Sequence, residues 1–240
     1  DQLQQIELLV NLKQVADPAA VVYDGIQSAL AKDVDVLIYD IQDVGCRFYT
    51  YISTMTYVME AGAENGKEVM VFDRPNPNGH YVDGNILDPA FKSFVGMHPV
   101  PIVYGMTSGE YAKMVNGEGW LKDGVKCDLT VIPCKNYTHA THYDLPVPPS
   151  PNLATAKSIA LYPSLCYFEG TPLSEGRGTP WPFEVFGSPL LPETGFTFTP
   201  ESSKNKGVLC NGVDLREAPD PGCIDLKYVI WAYNNYEKKD

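Results

Sequence analysis

The sequence predicts an α/β fold: a Rossmann-like, mainly parallel sheet flanked by helices, with a smaller C-terminal α+β domain. Two short β-branched runs each end in an acid, VDVLIYD at 34–40 and EVMVFD at 68–73. A stretch of helical character with its own stop signal separates them. The connections are short throughout, which favours sequential elements packed beside one another in a βαβ pattern.

The run at 34–40 has no polar alternation and reads as a strand buried on both faces. STMTYVMEAGAENGK, at 53–67, groups Met55, Tyr57, Val58, Met59 and Ala61 ahead of a polar tail and Gly66, a pattern that predicts a helix with a glycine stop. The run at 68–73 predicts the next strand and leads straight into the turn-forming RPNPNG. VPIVY, at 100–104, predicts another strand, and TSGEYAKMVNGEGWL predicts a helix opened by Thr107 and Glu110 at capping-box spacing. DLTVIP, from Asp128, predicts the strand after it. YDGIQSALAK, ahead of the first strand, predicts a helix, so the order over 23–133 is helix, strand, helix, strand, strand, helix, strand. IELLVN near the N-terminus has strand composition, yet LKQVADPAA after it supplies no crossover helix.

From residue 144 the composition turns to proline, in DLPVPPSPNLAT. We take 1–143 as the Rossmann-like domain and 144–240 as the smaller α+β domain, joined by this extended connector across a cleft. In the second domain GFTFTP predicts a strand and CIDLKYVIWAYNNY a closing amphipathic helix. There are no internal repeats.

Composition narrows the function. A net charge of −12 argues against nucleic acid as a partner, because phosphate binding relies on clustered Lys and Arg. No apolar run approaches the ~20 residues of a membrane-spanning helix. The six cysteines include no C-x-x-C pair, so neither a zinc knuckle nor a thioredoxin-type motif is read. EGRGT is not a P-loop, and GEGWLK carries Lys122 where a dinucleotide fingerprint needs glycine. No cofactor or metal is expected. His139 and His142 in THATH lack a third ligand and read as a surface loop, and His98 reads as structural. DQLQQIELLV has no basic n-region or small-residue cleavage site, so no signal peptide is read there.

In open α/β sheets ligands bind beyond the carboxyl ends of the strands, where the polar bursts of this sequence fall. Asp40, Gln42, Asp43, Arg47, Tyr49 and Tyr51 follow the first strand; Asp73, Arg74, Asn76 and Asn78 follow the second. Taken singly, Asp40 and Asp73 read as turn caps neutralised by arginine; taken together, two such loops point to a ligand site. A third dense segment, YPSLCYFEGTPLSEGRGTPWPFEVFG at 162–187, sets Glu169, Glu175 and Arg177 among glycines and aromatics. That mixture suits a sugar: aromatic faces meet C–H surfaces while charged groups take hydroxyls or an anion. Glu169, between Phe168 and Gly170, is the strongest candidate for a general acid, since an apolar setting raises a carboxyl pKa.

DVLIYDIQDVGCRFYTYISTM, DRPNP, VDGNILDPAFKSFVGMHPVPIVYGMTSGE, PPSPNL, the 162–187 segment and GVDLRE occur in this order over roughly 33–217. Together they resemble the bacterial exo-β-N-acetylmuramidase family, the NamZ or YbbC-like proteins of glycoside hydrolase family 171. The resemblance implies a two-domain protein with a cleft, removing terminal N-acetylmuramic acid from peptidoglycan fragments in a periplasmic or exported location. Its partners would be peptidoglycan-derived muramyl saccharides; the sequence carries no sign of oligomeric state. The lactyl carboxylate of that sugar calls for a cation, for which Arg47, Arg74 and Arg177 are candidates. Carboxyls flanking the bond would come from Glu169 with Asp40, Asp43 or Glu175, and Gln42, Tyr49, Tyr51 and Asn76 would contribute to binding.

One departure stands out. The family usually carries a Pro-Glu-His-Gly-Phe motif ahead of the equivalent of VVYDG, and this sequence has none. We expect that the chain as written joins non-contiguous segments, after Asn11 and again within 200–223, with a Cα separation near 11–22 above the ~3.8 Å of a trans peptide. The alternative is a degenerate relative that binds muropeptides without cleaving them.

Overall fold

The computed structural model describes residues 34–237 and, ahead of them, Gly25. The helix expected over 23–32, the strand composition of IELLVN and the break expected near 11–22 fall outside the described residues. Between 200 and 223 the chain makes a turn closed by the Gly207 N–H on the Pro200 carbonyl (2.8 Å) and then enters a strand.

The first βαβ unit forms as its local signals dictate. Strand β1 (Val36–Tyr39) leads to helix α1 (Tyr51–Asn65), which stops at Gly66 with φ of +61°, and to β2 (Glu68–Phe72). Helix α2 (Ser108–Glu118) opens with a complete capping box: Thr107 Oγ1 accepts from the Glu110 N–H, and the Glu110 carboxylate accepts from the Thr107 N–H. Among the described residues, strand β3 (Leu129–Ile132) extends the sheet in the order β1-β2-β3, all parallel. α1 and α2 share one core with Val69, Val71 and Tyr39.

Two expectations need correction. β1 is not buried on both faces: Tyr39 is inside, whereas Ile38 is 59% exposed, because the described helices pack on one side of the sheet. The segment 100–104 is buried but is no strand of this sheet. Pro99 and Pro101 have no N–H for a ladder, and Val103 instead makes isolated antiparallel bridges to Cys46 and Asp83. The segment thus pairs with loops and not with the strands of the parallel sheet.

The C-terminal part contains helix α3 (Ala156–Leu165), which the sequence reading missed. Its strands are β4 (Val185–Ser188), β5 (Thr197–Phe198, all that forms of GFTFTP) and β6 (Cys210–Asp214), antiparallel in the order β4-β6-β5. Helix α4 (Lys227–Asn235) is the closing helix expected. The two parts share a core in which Val44, Cys46, Tyr49, Ile102 and Val103 pack with Leu153, Leu161, Leu165, Phe168 and Phe186. The proline-rich connector is tied to the first part by Tyr49, whose hydroxyl donates to the Pro149 carbonyl at 2.8 Å.

Candidate active site

The loop after β1 and the segment after α3 meet in a concavity of about 220 Å³. Tyr49 and Tyr51 form one wall, Ser150 and Asn152 of the connector another, and Tyr162, Glu169, Arg177 and Phe183 the third. Tyr51 also borders a second hollow of about 360 Å³, lined by Asp40, Gln42, Arg74 and the connector's Pro146–Pro149 run. The cleft therefore runs from the carboxyl end of the parallel sheet to the 162–187 segment, with Tyr51 between its two lobes.

Glu169 is the half-exposed acid of the first lobe, its side chain 38% accessible. Arg177 Nη2 donates to Glu169 Oε1. Burial pushes the Glu169 carboxyl above its ordinary value, Arg177 pulls the other way, and Glu175 adds to the push. The Arg177 guanidinium lies over the Phe183 ring, 5.2 Å from its centre. Phe183 holds φ of +58°, which costs a bulky L-residue about 1–3 kcal/mol. Its N–H donates to the Glu175 carbonyl (2.8 Å) and Tyr162 packs edge-on against its ring, so the turn is fixed from both sides.

Glu175 does not reach the cleft. It is 1% exposed, with Arg177 Nε at 3.3 Å and Lys204 Nζ at 3.0 Å. The Arg177 contact is an ion pair without a hydrogen bond, whereas Lys204 makes one. A carboxylate clamped between two cations is a counter-charge, and its expected catalytic role is not supported by this geometry.

The other candidates separate in the same way. Asp40 accepts from Arg74 Nε (2.8 Å) in the second lobe, both side chains being close to half exposed. Gln42 is spent on backbone, donating to the carbonyls of Asp43 and Pro75. Asn76 is buried and structural: it donates to the Met106 carbonyl and accepts from the Asn78 N–H, and its side chain abuts Gly45. Asp73 caps α2 by accepting from Thr107 Oγ1 and the Gly109 N–H.

Arg47, expected to read an anion, is turned inward. It is 4% exposed and donates to the carbonyls of Asn85 (2.9 Å) and Val100 (2.5 Å), with no carboxylate partner among the described residues. It staples the 85–100 loop and offers the cleft no charge. Asp43 lies behind the tyrosine wall: its Oδ2 accepts from the Gly45 N–H (2.7 Å) and from the Tyr104 hydroxyl, while Oδ1 has no hydrogen-bond partner among the described residues. Burial raises its pKa from 3.8 to about 6 against the pull of the Tyr104 hydroxyl and of the Gly45 and Val44 N–H groups. His98 is buried, with Nδ1 on the Tyr111 hydroxyl, its ring stacked on Trp120 and Nε2 without a hydrogen-bond partner among the described residues; burial pushes its pKa down to about 4. His139 and His142 pair with Glu110 and Asp144, and no group of three or more metal-type ligands occurs among the described residues.

Sequence reasoning missed Lys204. It sits in the polar loop ESSKNKGV, and nothing nearby in the chain marks it as part of a site. Asn152 and Ser150 fall inside PPSPNL, whose prolines read as a connector rather than a wall.

Fold and site together define an α/β protein with a tyrosine-walled polar cleft, built around an acid and an arginine beyond the carboxyl ends of a parallel sheet. The family model for the N-terminal part of exo-β-N-acetylmuramidase NamZ matches residues 24–157, and that for its C-terminal part matches 160–239. The chain belongs to the NamZ family. It is 46% identical over 208 residues to the peptidoglycan β-N-acetylmuramidase NamZ of Bacillus subtilis (strain 168), an alignment covering 78% of this chain and 49% of that protein. The chain thus spans about half the length of that relative. Two crystal structures of DUF1343 family proteins from Bacteroides fragilis NCTC 9343 share the fold. One has 53% identity and a TM-score of 0.85, covering 89% of this chain and 63% of that one. The other has 32% identity and a TM-score of 0.75, covering 85% and 59%.

Proposed function

We propose that this chain is a glycosidase that removes terminal N-acetylmuramic acid from peptidoglycan fragments, with Glu169 as the proton donor. The observation that carries the reading is the half-buried Glu169 held by Arg177 in an aromatic concavity, in a chain closely related to a peptidoglycan β-N-acetylmuramidase. A carboxyl with a raised pKa keeps its proton toward neutral pH and can pass it to a leaving glycosidic oxygen. Tyr51, partly exposed, offers its ring to the C–H surface of a sugar, over the nearly buried Tyr49 and Tyr162. Arg74, beside Asp40 in the second lobe, is the cation best exposed for the lactyl carboxylate, since Arg177 is shared by two glutamates and Arg47 is turned away. Asp40 is the exposed carboxylate available as the second acid-base or nucleophilic group. A peptidoglycan substrate agrees with a periplasmic or exported site of action.

The test is a chromogenic N-acetylmuramide given to this chain alongside its N-acetylglucosaminide analogue. Release from the first and none from the second is expected. Binding of muramyl saccharide without release would replace the glycosidase reading with that of a muropeptide-binding protein.

A further inference from the structure

The turn 200–207 lies against the back of the loop that carries the proposed acid. The Glu201 N–H donates to the Gly178 carbonyl (2.7 Å) and Asn205 Nδ2 to the Pro172 carbonyl (3.2 Å). The approach is close enough that a Cβ on Gly178, at φ of +81°, would fall 2.4 Å from the Ser202 carbonyl oxygen. From this turn Lys204 reaches inward, its Nζ donating to the carbonyls of Phe168 (2.6 Å) and Leu173 (3.2 Å) and to Glu175 Oε2 (3.0 Å). One ammonium thus uses its donors on both ends of the Phe168–Leu173 segment and on the buried carboxylate. The result is a row of alternating charge, Glu169, Arg177, Glu175, Lys204, of which Glu169 faces the cleft.

We propose that Lys204 is a positioning residue for the proposed acid: by neutralising Glu175 from behind, it leaves the Arg177 guanidinium to be shared with Glu169 instead of being drawn wholly onto Glu175. The physical reason is the cost of an unpaired buried carboxylate. Without Lys204, Glu175 has Arg177 as its remaining cation, and the pull of a fully desolvated charge outweighs that of a half-exposed one. Arg177 would swing toward Glu175, Glu169 would lose its hydrogen-bonded counter-charge, and the Phe168–Leu173 segment would lose its clip.

The inference rests on the glycosidase reading and predicts a signature of its own. The groups facing Glu169 are Arg177, Glu175 and Lys204, with Tyr162 and Cys166 from the end of α3 and Tyr49 and Tyr51 across the concavity. Of these, Arg177 and Lys204 hold its pKa down and Glu175 holds it up. In Lys204→Met the alkaline limb of the kcat/KM profile, set by loss of the Glu169 proton, moves up by about one pH unit. In Lys204→Arg it stays within about 0.3 unit of wild type, because the charge is kept. In the double variant Glu175→Gln/Lys204→Met no buried charge is left unpaired, Arg177 remains on Glu169, and the limb returns toward wild type.

The experiment is this set of profiles on the chromogenic muramide. A wild-type chain that releases no chromophore overturns the glycosidase reading and the inference with it. Wild-type release with an unmoved limb in Lys204→Met overturns the inference alone. Should Lys204→Met not fold, the double variant decides: folded protein with a wild-type limb supports the proposal, and a double variant that also fails to fold, or whose limb stays displaced, refutes it.

Discussion

Replacing Asp43 with asparagine should stabilise the fold at neutral pH, and by less at acid pH. Asp43 is 5% exposed and its Oδ1 has no partner among the described residues, so the charged form is held in a poor environment. The sign follows from the direction of its shift. A carboxyl whose folded pKa is raised favours the folded state below its ordinary 3.8 and loses that contribution as pH climbs through about 6. The gap of roughly two pH units corresponds to about 3 kcal/mol by which ionised Asp43 opposes folding above pH 6. Asparagine can place its carbonyl oxygen where Oδ2 now accepts from Gly45 and Tyr104, keeping both bonds without the charge. Urea unfolding followed by tryptophan fluorescence should show Asp43→Asn ahead of wild type by about 3 kcal/mol at pH 7.5 and by about half that at pH 5. A variant less stable than wild type at pH 7.5, or an advantage that does not change with pH, would refute the reasoning. Muramidase activity in the same variant, if kept, removes Asp43 from the list of catalytic carboxyls.

Glu169→Gln should abolish turnover of the chromogenic muramide while leaving ligand affinity within about tenfold, since the proton donor alone is lost; near-normal turnover would exclude Glu169 as the acid. Arg47→Ala should lower stability by about 2–4 kcal/mol, because the buried carbonyls of Asn85 and Val100 lose a charged donor, and leave the preference for muramyl over glucosaminyl substrates unchanged. Arg74→Ala should instead cut that preference by about 1.5–3 kcal/mol if Arg74 binds the lactyl carboxylate, read as the ratio of kcat/KM for the two substrates. Gly45→Ala should destabilise by about 2–4 kcal/mol in urea unfolding: φ there is +73°, and the new Cβ would fall 2.3 Å from Asn76 Oδ1.

The parts of the fold that were legible in the sequence are those whose signals are local. Gly66 ends α1 through its own left-handed conformation, and Thr107 with Glu110 opens α2 within four residues. The misread parts depend on what lies across the structure. Segment 100–104 has the branched composition of a strand, but its prolines bar it from a ladder and its bridges go to Cys46 and Asp83, loops rather than strands. Helix α3 escaped because its capping box closes with Ser158 instead of a glutamate, and because Pro163 lies in its interior, where proline ordinarily argues against a helix.

The same distinction governs the site. Polar bursts after β1 and β2 and in 162–187 do mark the cleft, since Tyr49, Tyr51, Asp40, Arg74, Glu169 and Arg177 all line it. Composition could not tell Arg47 from Arg74, because each follows a strand among acids. Their difference lies in carbonyls 38 and 53 positions away that take up Arg47, and in an aspartate 34 positions away that keeps Arg74 at the surface. Lys204 meets Glu175 across 29 positions for the same reason. A charge in this chain is assigned to scaffold or cleft by backbone that only the folded topology brings near. The loops bearing Glu169 and Lys204 lie on opposite sequence sides of β4 and β5, so the β4-β6-β5 sheet helps hold the charge row together alongside the direct bonds between the loops. Loss of that sheet should therefore weaken the proposed acid's support even where α1, α2 and the parallel sheet remain folded.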